Sequence, residues 1–397
     1  MMIKQKNGTG LNRFYLFFLT FPVLILLAGC QCKVSAQTQS TPRNIILCIG
    51  DGMGLAQVHA SAIQHGIIRG QERPDFTGRL VFEDFPVIGY QVNSSANQLV
   101  TDSAASGTAL ACGSKTNNGM LGQNPKGKQL LPVSKIALQA GKAAGVLTSV
   151  TLDHATPAAF YASVPSRANY DTIVEQAMQS GLTVLGGNQT SSKKYRGEAL
   201  QALCTGKGWN FIDNAALAAL TPASAAQHNL FYFNLVAASA DLDYSPQRQP
   251  DFQQLRLADV AAKTVDILLA KGNGKGFFLM IEGGAIDGGG HANNQEKVLA
   301  ETLEFDLAIR TMMERLQAAG ELEQTLIVVT ADHETGGMGL NGPSGIPGPE
   351  NPLKSGWTTK GHTAVPPLIW ARGPAAERFA GKLDNTDIAR HIKELLK

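Results

Sequence analysis

The chain has 397 residues, 17% of them charged and 44% hydrophobic, with 42 glycines and a formal charge of +2. That is enough chain for one large domain or two average ones, and the composition is not that of a coiled coil or a disordered polymer. Without Lys4, Lys6 and Arg13 of the leading segment, 31 basic residues stand against 32 acidic ones, so no basic excess points to nucleic acid.

The first 29 residues read as an export signal, with those three cations ahead of FYLFFLTFPVLILLAG, a run short for a membrane span. The run ends LLAGC, which resembles the bacterial lipoprotein signal. That resemblance implies removal of residues 1–29 and a lipid on Cys30, the only membrane contact expected. Cleavage after Ala36 stays open as the alternative and would release the protein into the periplasm. Residues 30–42 are small and polar and read as a tether, with the folded domain expected over 43–397. Cys32, Cys48, Cys112 and Cys204 show no paired spacing, so no disulfide framework is expected.

From there strand and helix patterns alternate. Apolar runs predict strands at 44–50, 145–151, 182–186, 276–282, 325–331 and 366–371. Helical spacing predicts helices at 55–65, 103–112, 132–140, 169–180, 255–271, 293–319 and 386–396. Such alternation predicts an α/β three-layer sandwich, with a central, mostly parallel sheet covered by helices on both faces. The less regular stretch at 187–254 reads as an insertion beside that sheet, and a Gly/Pro-rich loop leads to His362.

Three of the strands end in acid or histidine. NIILCIGD closes on Asp51, FFLMIEGGAIDGGGH carries Glu282, Asp287 and His291, and TLIVVTADH closes on Asp332 and His333. Open α/β sheets gather ligands at the carboxyl ends of their strands, so these groups are expected to meet. Asp287 and His291, four apart, share one face of a helical turn and suit zinc, whereas the hard oxygen of Glu282 suits magnesium. With His362 the candidates number seven, too many for one tetrahedral ion and enough for several, as in paired-metal phosphoryl-transfer sites. In VTDSAASGTA, Asp102 is the expected N-cap and Ser103 opens a helix whose free N–H groups favour an oxyanion. No Gly-x-Ser-x-Gly elbow is present, so Ser103 needs a metal rather than a histidine base. His59, His65, His228 and His391 lack acidic neighbours of this kind and read as surface or core residues.

NIILCIGDGMG, TDSAASGTA, DHATPAAFYASVPSR, FFLMIEGGAIDGGGH, VVTADHETGG and GHT, in this order, resemble the alkaline phosphatase family from about Asn44 to the last helix. The resemblance implies hydrolysis of phosphate monoesters through a phosphoserine at a site of two Zn²⁺ and one Mg²⁺. It makes Ser103 the nucleophile and Arg167 the clamp on two phosphate oxygens. One zinc would take Asp51, Asp332 and His333, the other Asp287, His291 and His362, and the magnesium Asp51, Thr156 and Glu282. Asp102 and His154 would stand behind these ligands. Some members carry Asp at the position of His154 and Lys at that of Gly288; here the first is an imidazole and the second has no side chain. A homodimer is one option the resemblance leaves open.

Overall fold

The computed structural model describes residues 41–68, 78–220, 228, 231–235, 256–348 and 350–397. The export signal, Cys30 and nearly all of the tether lie outside the described residues. Among the described residues, no helix is long and apolar enough to cross a membrane.

Among the described residues, ten strands form one sheet: β1 (Asn44–Gly50), β2 (Val87–Val92), β3 (Ala143–Thr151), β4 (Val184–Asn188), β5 (Asn210–Ile212), β6 (Phe231–Leu235), β7 (Phe277–Gly283), β8 (Thr325–Thr330), β13 (Leu368–Arg372) and β14 (Gly381–Asp384). The last two follow four short strands, β9 (Glu334–Thr335), β10 (Met338–Gly342), β11 (Lys354–Trp357) and β12 (His362–Thr363), which pair as β10 with β11 and β9 with β12. The sheet order is β14-β2-β13-β8-β1-β7-β3-β4-β6-β5. β13 runs antiparallel to both neighbours, and the remaining pairings are parallel.

The central strands are apolar throughout because both faces are covered. Along β1, Ile45, Leu47 and Ile49 enter one core and Ile46 and Cys48 the other. The first core is closed by helices α2 (Ser103–Cys112), α3 (Val133–Gln139), α5 (Tyr170–Met178) and α11 (Asn385–Leu395), the second by α1 (Leu55–Ile68), α8 (Leu257–Lys271) and α10 (Gln295–Ala318). Among the described residues, three further helices fall between α3 and α8: α4 (Ala155–Ala158), α6 (Glu198–Gly206) and α7 (Asn214–Ala219). Cys48, Cys112 and Cys204 are buried free thiols.

Every expected strand and helix is present within three residues of its expected ends. The described part of 187–254 differs from the expectation: β5 and β6 do not stand beside the sheet but prolong it past β4. The sequence pattern also misses α9 (Ala285–Ala292), a helix with three consecutive glycines. Each glycine disfavours a helix by about 1 kcal/mol relative to alanine. Here packing decides, since α9 is wedged between β9 and α10.

Candidate metal centre

The order β8-β1-β7-β3 puts four carboxyl ends side by side in the middle of the sheet. Asp51 follows β1, Glu282 ends β7, Asp332 and His333 follow β8, and His154 and Thr156 lie just beyond β3. α9 adds Asp287 and His291, and the β9–β12 ribbon brings His362 across from Thr335.

These side chains converge in three overlapping groups, each with ligand atoms within 4.8 Å of one another: Asp51, Asp332 and His333; Asp287, His333 and His362; and Asp51, His154 and Glu282. His291 joins the second through Nε2, 3.3 Å from Asp287 and 3.2 Å from Nε2 of His362. Thr156 Oγ1 reaches Asp51 Oδ2 at 3.2 Å. All seven carboxylates and imidazoles read from the sequence are thus brought together, with Thr156. His59, His65, His228 and His391 join none of the three groups. His154, expected behind the ligands, stands among them, with Nδ1 3.6 Å from Asp51 and 3.9 Å from Glu282.

The polar atoms fit cations. His291 Nδ1 donates to Lys360 O and His362 Nδ1 to Thr101 O, so the facing Nε2 atoms are both acceptors when neutral, and the Asp287 carboxylate is a third. Converging acceptors repel unless a cation lies between them. In the next group Asp51 Oδ1, His154 Nδ1 and both Glu282 oxygens are buried without a hydrogen-bond partner. An unsatisfied buried charge is costly and calls for a counter-ion.

Electrostatics follow from this crowding. Burial, with the charges of Asp332 and Asp287, pushes Asp51 well above the usual carboxylate range. Burial also pushes Glu282 up to about 8, and it holds His154 down to about 4, aided by Arg167. The hydrogen bond to Asp287 raises His291 to about 9.

Ser103 sits at the first turn of α2, where the Asp102 side chain caps the helix by accepting from Ala105 N at 2.9 Å. Its Oγ lies 3.2 Å from Nε2 of His333. Asp102 also holds Arg167, whose NH1 is 3.3 Å from Oδ2, while NH2 donates to His154 Nε2 at 3.2 Å. The bare position of Gly288 is not without charge nearby: Nζ of Lys297 lies 3.3 Å from where a Cβ on Gly288 would stand. Sequence reading missed Lys297, which is nine residues away and on another helix. It also missed Thr335, which donates to Asp287 at 2.6 Å and contacts His333 Nδ1 at 3.2 Å.

An α/β sandwich that gathers groups able to hold cations beside a serine opening an Asp-capped helix fits a metal-dependent hydrolase. The family model for alkaline phosphatase matches residues 42–191 and 182–354. The chain is 28% identical to alkaline phosphatase 4 of Bacillus subtilis over 92% of this chain and 91% of that one. It is 29% identical to the alkaline phosphatase of Escherichia coli over 89% and 86%. Among solved structures, the alkaline phosphatase of the Antarctic bacterium TAB5 is similar with a TM-score of 0.73 and 28% identity, over 90% of this chain and 98% of that one. The cold-active enzyme of Shewanella gives 0.74 and 27%, over 89% and 100%. The chain belongs to the alkaline phosphatase family. It is a phosphoric monoester hydrolase with metal-binding residue groups at the carboxyl edge of its sheet.

Proposed function

We propose that hydrolysis proceeds through a phosphoserine on Ser103, with two Zn²⁺ and one Mg²⁺ held by the three groups of ligands. The observation that carries this reading is the position of Ser103 Oγ, 3.2 Å from Nε2 of His333, the residue that two of those groups share. One zinc takes Asp51, Asp332 and His333, and the other takes Asp287, His291 and His362. The magnesium takes Asp51, Thr156 and Glu282, with His154 adding a nitrogen. When bound, these cations supply Lewis-acid stabilisation of charge on the transferred phosphoryl group and favour the ionised Ser103 hydroxyl.

The chain's own groups do the rest. Oγ of Ser103 attacks phosphorus and the ester oxygen leaves on the opposite side, so a P–O bond to serine forms as that to the alcohol breaks. Water then attacks the phosphoserine, so that inorganic phosphate leaves with the water oxygen and the serine oxygen takes back a proton. The free N–H groups of α2 and the Arg167 fork face charge on the equatorial oxygens, and Asp102 fixes the fork's direction. The His362 and His291 imidazoles, locked at Nδ1 by Thr101 and Lys360, keep their Nε2 atoms aimed at the ligand group.

The leading segment supports export to the periplasm, with Cys30 as the lipid attachment point. Small phosphate monoesters are the proposed substrates, and a homodimer is the proposed assembly. Elemental analysis paired with an aryl phosphate assay, before and after chelation, tests the central claim. The expected result is loss of activity and its return with zinc. Undiminished turnover in a metal-free sample overturns the reading, and faster hydrolysis of the matching diester or sulfate ester reassigns the substrate.

A further inference from the structure

Glu334 follows His333 and points the other way. Thr335 turns into the metal centre, whereas the Glu334 side chain enters the opposite face of the β9–β12 ribbon, where it is 4% exposed. Its Oε1 accepts from Gln57 Nε2 at 2.8 Å and from Met338 N at 3.2 Å. Its Oε2 accepts from Gly337 N at 3.2 Å and from the Thr363 hydroxyl. Its stem lies so close to Gly54 that a Cβ there would stand 2.3 Å from Cγ.

Each partner belongs to a segment that carries part of the metal centre or adjoins one. Gly54 and Gln57 lie on the turn and helix that follow Asp51. Thr363 is the neighbour of His362 and pairs across the ribbon with Glu334 itself. Gly337 and Met338 fix the chain as it leaves His333. Four donors converge on two oxygens, and no cation is among them. A glutamine of the same length would place an amide donor against at least one of those donors, whereas a carboxylate accepts on both oxygens. A buried, fully satisfied acceptor of this kind rigidifies what it joins.

We infer that Glu334 is a positioning residue: it clamps the turn after Asp51, the strand after His333 and the strand of His362 into one register, so that both imidazoles stay aimed at their cations. The inference rests on the reading of His333 and His362 as metal ligands. Its consequence is slow release of the metal.

The test uses the zinc-loaded full chain and two variants, Glu334→Gln and Thr363→Val, the second removing only the link to the His362 strand. Zinc release into a chromophoric chelator is timed, and the melting temperature of each metal-free protein is measured. Outer contacts to metal ligands are commonly worth 10- to 100-fold in affinity, so Glu334→Gln is expected to release zinc at least about tenfold faster. Thr363→Val should show a smaller change in the same direction, with zinc release accelerated in both variants by more than any fall in the metal-free melting temperature accounts for, and kcat recovered in excess zinc. Release within about twofold of the parent in both variants, well below that range, overturns the inference. A metal-free melting temperature that falls in step with zinc retention reduces Glu334 to a structural contact and overturns it as well. If the parent chain itself holds no zinc, the ligand assignment fails instead.

Discussion

The Arg167 guanidinium donates to Nε2 of His154 at 3.2 Å, while Nδ1 of the same ring stands 3.6 Å from Asp51. Arginine has no acceptor, so the ring proton must sit on Nδ1 in this arrangement. A cation among Asp51, Glu282 and His154 needs that nitrogen bare. The proton would then sit on Nε2, and Arg167 would lose that acceptor. Replacing the imidazole with a carboxylate removes this conflict and adds a hard oxygen. His154→Asp is expected to raise magnesium affinity about tenfold. Competition between magnesium and zinc, followed by elemental analysis, checks it, and an unchanged metal ratio counts against a ligand role for His154.

Ser103 is 1% exposed before substrate arrives, so its hydroxyl is held at the helix start rather than free in solvent. Ser103→Ala removes that hydroxyl and leaves the proposed cation ligands intact. Covalent labelling by inorganic phosphate should vanish and kcat should fall by several orders of magnitude, with metal content unchanged. A variant that still takes up label at the parent level rules out a phosphoserine at this position.

Much of this site was legible because its ligands sit where strands end. The apolar runs before Asp51, Glu282 and Asp332 mark strands buried on both faces, and their carboxyl ends must share one edge once the strands are parallel. What stayed hidden depends on contacts between distant segments. Nothing in the spacing of His154 distinguishes a ligand from a neighbour of one, since the choice rests on how the turn after β3 aims its ring at Asp51. β2 was missed because VIGYQV is interrupted by glycine and leaves Ile88 and Tyr90 exposed, which weakens the alternation. Glu334 resembles any polar residue after a motif until Gln57 and Thr363 are placed around it.

Lys297 offers a direct check on the charge near Gly288. Its ammonium stands beside the turn that carries Asp287 and His291, where an anionic ester would approach. A partly exposed charge contributes up to about 1 kcal/mol, so Lys297→Ala should raise KM for an aryl phosphate about two- to fivefold. The effect should shrink in high salt. A KM that does not move at low ionic strength removes Lys297 from the substrate's surroundings.

Cation uptake should carry a proton signature. In the metal-free chain Glu282 is pushed up to about 8 by burial and by the charges of Asp332 and Asp287, while His154, held down to about 4, is neutral. Metal ligands must be deprotonated, so magnesium binding at pH 7 displaces a proton from Glu282, and above pH 8 that carboxyl is already bare. Affinity should therefore rise with pH through about 8, by as much as about tenfold per unit for each proton displaced, Asp51 adding to Glu282 because burial raises it too. Calorimetry of magnesium binding in two buffers of different ionisation enthalpy, at pH 7 and pH 9, measures the count. Equal enthalpies in the two buffers at pH 7 exclude the coupling.

Away from the metal centre, α10 buries Glu301 at 2% exposure with Oε1 unpartnered. Burial, together with neighbouring Glu304, pushes its carboxyl up to about 8. An unfolded glutamate titrates near ~4.3, so between that value and 8 the folded chain keeps a proton that the unfolded chain has lost. Stability is then fully present at acid pH and declines as pH rises through this window, because ionising a buried carboxyl opposes folding. Glu301→Gln keeps the shape and removes the titration. The variant should match the parent near pH 5 and melt several degrees higher at pH 9. Both proteins share one metal centre, so its own pH dependence cancels in the difference between their melting curves. Curves that stay parallel from pH 5 to pH 9 mean that Glu301 is ionised throughout and already satisfied.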